Sequence, residues 1–213
     1  MSKPFLGRKS LSVGLLTASF LTACGTVEPP TVPPSDVTSY PALAEKGYAE
    51  TIVTGTFPMN LETLRLWLEE DNKMVNQMEA TENIAKPVKT VPLSGVWPVP
   101  GAARRVELSD GHFVLERIVS NTPERFEYQI WGMTQAAGRN VDHIHGVQAF
   151  EELSDGSTQL TWSYRVKPKA GFMRPFVQRF VDNDVTPFLT QAIENTVALA
   201  EDEMAGSNGL SEN

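Results

Sequence analysis

Residues 104–119 read Arg-Arg-Val-Glu-Leu-Ser-Asp-Gly-His-Phe-Val-Leu-Glu-Arg-Ile-Val, two runs of alternating character around Asp110-Gly111. Asp-Gly between apolar runs is a strong hairpin signal, because glycine takes positive φ without steric cost. A two-residue turn sets Leu108 opposite Phe113, Val106 opposite Leu115, Arg105 opposite Glu116 and Arg104 opposite Arg117. Val106, Leu108, Phe113, Leu115 and Val119 then share the buried face, and Arg105, Glu107, His112 and Glu116 share a solvated one. Arg117 falls on the apolar side beside Arg104. A bulged turn would send every residue after Gly111 to the other face.

Outward from this hairpin the chain alternates in the manner of a sheet. Arg125–Trp131, Val141–Leu153 and Thr158–Lys167 are further strand-like runs. The last is the clearest, with Leu160, Trp162, Tyr164 and Val166 alternating against Gln159, Thr161, Ser163 and Arg165. The pentapeptide Glu-Leu-Ser-Asp-Gly at 107–111 recurs at 152–156, and its unlike flanks make it two hairpin turns rather than a duplicated domain. Before the hairpin, Tyr48–Phe57 reads as a strand. Asn60 then caps a helix whose apolar face is Leu61, Leu64, Trp67 and Leu68, with a second short helical piece near Met74–Met78. The four prolines in 86–100 predict an edge strand or an irregular connection. After the sheet, Gly171–Met204 is helical, with a kink or restart expected near Thr186 because of Pro187. The tail 205–213 is expected to fray.

A strand, a helix pair, a run of antiparallel strands and a long amphipathic helix make an α+β domain, in which the last helix must cover the apolar face of the sheet. The stretch Gly101…Arg105-Val106-Glu107-Leu108…Asp110-Gly111…Leu115-Glu116-Arg117, then Phe126…Tyr128…Ile130, resembles the START-like (SRPBCC, polyketide cyclase/dehydrase) superfamily. Gly156…Thr158…Leu160…Trp162 before a C-terminal helix fits the same pattern. The resemblance spans residues 48–204. It implies a helix-grip fold, a curved antiparallel sheet wrapped around the last helix with an apolar cavity between them. The proline-rich stretch before Val96 departs from the family's second strand.

The chain's beginning has a different character. Lys3, Arg8 and Lys9 precede 13 residues, Leu11–Ala23, that are apolar or small. At about 1.5 Å rise per residue this run is too short to cross a bilayer core of about 30 Å, and it matches the layout of a signal peptide over residues 1–23. Leu21-Thr22-Ala23-Cys24-Gly25 resembles the lipobox of bacterial lipoproteins, which implies cleavage before Cys24 and acylation there. Cys24 is the only cysteine, so no internal disulfide or multi-cysteine metal site is expected. Gly25 in place of Asp implies by the same resemblance the periplasmic face of an outer membrane within a bacterial cell envelope. Residues 24–47 hold five of the 15 prolines and read as a semi-rigid linker. Loss of Lys3, Arg8 and Lys9 takes the formal charge from −8 to −11. An acidic domain lacks the footprint for nucleic acid, and attachment to the membrane would then rest on the acylated Cys24.

Candidate ligand-binding residues are Arg117, placed on the apolar side by the two-residue turn, and the aromatic residues Trp67, Tyr128, Trp162, Tyr164 and Phe188. Arg117 beside Arg104 is either an anion site at the end of a cavity or a pair that snorkels out or finds an acid. The aromatic residues line a cavity or simply fill a core, since both give one periodicity. His143 and His145 share a strand face but lack a third ligand for a metal. No nucleophile elbow, phosphate loop or H-E-x-x-H motif is present, so no catalytic residue and no cofactor is assigned. Three functions remain: a lipid-anchored module binding a hydrophobic or amphipathic small molecule or lipid, a cyclase/dehydratase-type enzyme, and an envelope interaction protein with a collapsed cavity. A cavity above about 300 Å³ separates the first two from the third, and convergent titratable groups inside it favour the second over the first.

Overall fold

The computed structural model describes residues 27–210, with side chains throughout except for Asp71 and residues 207–210. Residues 1–23, read from the sequence as a signal peptide, and Cys24 lie outside the described residues. Seven strands form one antiparallel sheet: β1 (Ala49–Phe57), β2 (Pro87–Ser94), β3 (Ala103–Leu108), β4 (Phe113–Thr122), β5 (Arg125–Trp131), β6 (Val141–Glu152) and β7 (Thr158–Pro168). Their order is β1-β7-β6-β5-β4-β3-β2. Helices α1 (Leu61–Glu69) and α2 (Lys73–Asn76) follow β1, and α3 (Arg174–Phe180) and α4 (Thr186–Leu210) follow β7. The α+β architecture matches the expectation from the sequence.

Local chemistry explains most of these elements. The Asn60 side chain accepts from the Thr63 N–H at 2.9 Å and starts α1. β2 is an edge strand, with register breaks beside Pro87 and Pro92 where the ladder lacks donors. Pro187 cannot donate within a continuing helix. The chain answers with a widened π-turn over Val181–Val185 before α4 restarts at Thr186. At its far end α4 continues to Leu210, through residues expected to fray.

The concave face of the sheet grips α4. Phe57, Leu160, Val181, Leu189 and Ile193 are buried in one core with Leu64 of α1. Contact is close at Gly55 of β1, where an added Cβ would stand 2.3 Å from Ile193 Cγ2.

Both Glu-Leu-Ser-Asp-Gly segments form one turn geometry. The Leu108 N–H donates to the His112 carbonyl and the Leu153 N–H to the Ser157 carbonyl, so three residues, Ser-Asp-Gly, form each loop. Gly111 and Gly156 both stand at φ +81°. In each loop the aspartate accepts from the backbone N–H two residues on, 3.0 Å from His112 and from Ser157. This is a type I turn closed by a glycine bulge. It shifts the β3–β4 register by one residue from the two-residue reading. Arg104 pairs with Glu116, Arg105 with Leu115 and Ala103 with Arg117. Glu116 and Ile118 therefore face the core, and Leu115 and Arg117 face outward.

The outward face is covered. The proline-rich segment read as a linker runs across it from Val27 to Tyr48. The Val27 carbonyl lies 3.0 Å from His112 Nε2, the Pro34 carbonyl accepts from Arg105, and the Pro41 carbonyl accepts from Gln129 Nε2 at 2.8 Å. Val37 and Leu93 pack on Ala103, Leu115 and Trp131, a second small core on the convex side. Tyr48 reaches His143 Nε2 through its hydroxyl at 2.9 Å. Under this strap Gln129 and His143 are almost wholly buried, at 0% and 1% exposure.

Candidate functional site

Between the sheet, α1 and α2 lies a cavity of about 450 Å³. β5, β6 and β7 contribute Phe126, Tyr128, Phe150 and Trp162, the β2–β3 loop contributes Trp97, and Met74 closes it from α2. Its polar centre is an ion pair. Arg104 Nε donates to Glu116 Oε2 at 2.6 Å, and the two residues are 9% and 7% exposed. The Arg104 guanidinium also stacks 3.6 Å over the Trp97 ring.

Tyr128 is placed by a glycine. Gly146 faces it on β6, and an added Cβ there would stand 2.0 Å from the phenol ring. The ring lies over that gap, and the Tyr128 oxygen accepts from Trp162 Nε1 at 2.9 Å. Burial, with Tyr164 and Glu116 close by, pushes the Tyr128 phenol far up, and burial with Glu116 does the same to Tyr164. Both phenols are neutral donors across the ordinary pH range. At the rim, Arg65 stacks 4.7 Å from the Phe150 ring centroid and donates to Asn121 Oδ1 at 2.6 Å.

The chemistry on offer is therefore an aromatic wall around one internally neutralised ion pair and a neutral phenol, with Gln148, Asn72, Arg65 and Glu69 as further polar lining. An uncharged or amphipathic guest with a hydroxyl or carbonyl group suits this lining, since a free anion would meet Glu116 as well as Arg104.

Of the residues expected from the sequence, Tyr128 and Trp162 line the cavity. Tyr164 stands beside it, edge-on to Trp162 with ring centroids 6.3 Å apart. Phe188 belongs to the core under α4. Trp67 faces α4 instead, donating to Glu203 Oε2 at 2.7 Å under the Lys73 ammonium. Arg117 is corrected outright. The glycine bulge turns it to the convex face, where it donates to Gln129 Oε1 at 2.8 Å and stacks 3.8 Å over Tyr40. Arg104, weighed only as the neighbour of Arg117, is the arginine at the cavity's centre, with Arg65 at its rim, and Glu116 and Gly146 were missed. His143 sits between Tyr48 and Asp142, and His145 lies 3.0 Å from Glu127.

No family model matches the chain, and no curated protein does. Solved structures do. Ara h 8.0201 shares 17% identity with a TM-score of 0.53 over 71% of this chain and 98% of its own. Major latex-like protein 151 from Panax ginseng shares 12% identity with a TM-score of 0.53 over 73% of this chain and 99% of its own. The di-domain ARO/CYC StfQ from the steffimycin biosynthetic pathway shares 12% identity with a TM-score of 0.54 over 74% of this chain, which spans about half of it, 52%. The likeness is one of fold: a curved antiparallel sheet gripping a C-terminal helix.

Proposed function

We propose that this chain, whose fold is the START-like helix grip, is a binding module that holds an uncharged or amphipathic small molecule in the cavity at Arg104 and Glu116. The observation that carries this reading is a cavity of about 450 Å³ with five aromatic residues in its wall around the self-compensated Arg104–Glu116 pair. That volume falls within the range of about 300–1,000 Å³ usual for small-molecule sites. The lipobox-like Leu21–Cys24 supports attachment of the module to a bacterial membrane through an acylated Cys24, on the periplasmic face of an outer membrane. The test of the guest is native mass spectrometry of the purified full chain, with organic extraction of what is released. A stoichiometric guest of low formal charge supports the reading, and an empty protein that takes up no apolar compound refutes it.

One observation favours a second reading, an enzyme of the cyclase/dehydratase kind: Arg104, Glu116 and the Tyr128 hydroxyl converge on one cavity. The likeness to an ARO/CYC protein supports it at the level of fold. The two readings separate on the fate of the guest. A module returns the extracted compound unchanged after prolonged incubation, and an enzyme returns a compound of altered mass or ring structure.

A further inference from the structure

From Gly156 to Val181 the chain carries Arg165, Lys167, Lys169, Arg174 and Arg179 and no acid, although the whole chain is formally −8. Within this stretch Phe172 and Phe176 are 77% and 67% exposed, one helical turn apart where β7 runs into α3. Lys169 reaches across to the Gly138 carbonyl at 2.7 Å, bringing its charge beside exposed Arg139. Lys167 donates to the Lys46 carbonyl at 2.7 Å and Arg174 to the Tyr48 carbonyl at 2.7 Å. Of the nearby acids, Glu50 pairs with Arg165, while Asp142 contacts His143 and Asp182 accepts from the Gln178 amide. Two exposed aromatic rings on a stretch of chain that carries five cations and no acid, on an otherwise acidic protein, have the complementarity of an anionic lipid surface.

The sheet's register shows where this patch sits. Pro168 pairs with Val141, Ala49 with Val166, Ile130 with Ile144 and Leu115 with Trp131. The end of β7, the start of β1 and the Asp110-Gly111 turn thus lie at one end of the molecule. The strap starts at that same end, with Val27 against His112 and Pro29 against Gly111. Cys24 is three residues before Val27, a reach of about 10 Å. Of the cavity residues, Phe126 at the start of β5, Trp97 of the β2–β3 loop and Arg65 of α1, which donates to the Thr122 carbonyl, lie toward the other end.

We infer that Phe172, Phe176 and the surrounding basic side chains form a bilayer-facing surface that seats the molecule on anionic lipid with its cavity turned toward the aqueous side. The position of Cys24 rests on the proposed anchor; the patch itself does not. A guest would then be exchanged with the aqueous side rather than drawn straight from the bilayer beneath.

The test uses the full chain carrying Cys24→Ser, so that acylation plays no part and an introduced cysteine is the only thiol. Phe172→Cys and, at the opposite end, Ser154→Cys are each labelled with an environment-sensitive dye. Both are mixed with vesicles of phosphatidylcholine containing about 30% phosphatidylglycerol and titrated with iodide. The expected result is quenching at position 172 at least about threefold weaker than at 154, with the difference shrinking in pure phosphatidylcholine. Equal quenching at the two positions, or shielding of 154 instead, overturns the inference. Failure of the anchor reading shows separately, as a parent protein from cells whose mass carries no acyl chain at Cys24.

Discussion

Gly111 and Gly156 stand at one φ in two copies of one turn, yet their surroundings differ. A Cβ at Gly156 meets nothing within 4 Å, whereas at Gly111 it meets Pro29 Cγ at 3.2 Å. Gly156→Ala should therefore cost only the left-handed backbone penalty, about 1–2 kcal/mol, and Gly111→Ala should cost more by displacing the strap. Urea unfolding of the two variants checks this, and equal losses would mean that the strap does not bear on the turn. The Arg104–Glu116 pair makes a second prediction at this scale. Arg104→Met leaves a buried carboxylate alone and should destabilise by about 3–5 kcal/mol, while Arg104→Met with Glu116→Leu should recover most of that loss. If the single and double variants are equally unstable, the pair is not the compensated unit described here. The exchange of Arg117 for Arg104 as the arginine of the site is also a residue-scale matter. Asp-Gly admits a two-residue or a three-residue loop, and one extra residue reverses every later side chain.

Elements show where the sequence was legible and where it was not. The alternation of β7, the Asn60 cap and the break before Pro187 are local signals, and the structure follows each. The strap is not local: proline-rich chain reads as a spacer, and what it lies on, the convex cluster of Ala103, Leu115 and Trp131 with Arg105 and Gln129 beside it, is far away in sequence. Gly146 is equally silent in sequence, because its role is to make room for a ring on the next strand. α4 is gripped by its apolar side, so Ile193→Asp should cost several kcal/mol of a stability typically about 5–15 kcal/mol; an unchanged melting temperature would contradict the packing. The strapped face also titrates. Burial pushes His145 below its ordinary range, only partly opposed by Glu127. Burial also pushes Glu127 up, but hydrogen bonds from Arg125 and His145 more than reverse it. In both cases the unfolded chain takes up protons that the fold refuses. Stability is then full above pH 6.5 and declines as pH falls through the histidine range and again below 4.5. His145→Gln should flatten the decline between about pH 5 and 7 and leave the acid limb, as followed by urea midpoints against pH.

The whole molecule has two unlike ends joined by one sheet. One end gathers the start of the strap, exposed Phe172 and Phe176, and a run of basic side chains; the other half holds the cavity. An anchor at Cys24 would extend that polarity to the membrane, and Cys24→Ser should abolish acylation and block processing before residue 24, as read from the mass of the protein recovered from cells. The fold was readable from the order of strands and the last helix, but the cavity lies between the sheet, α1 and α2 and not, as expected, between the sheet and α4. The guest was not readable, because core and cavity walls share one periodicity and only the register of Glu116 places charge inside. The central claim is that the space around Arg104 and Glu116 takes an uncharged apolar molecule. It is tested most directly by titrating the purified protein with N-phenyl-1-naphthylamine, beside a Val75→Trp variant that fills the cavity from the α2 side. Val75 lines the space and is half-buried, so its replacement should leave the melting temperature within a few degrees. The account predicts saturable one-to-one uptake by the parent protein, weakened at least about tenfold in the variant, or about 1.4 kcal/mol. No saturable uptake by the parent, or equal affinity in Val75→Trp, would contradict it.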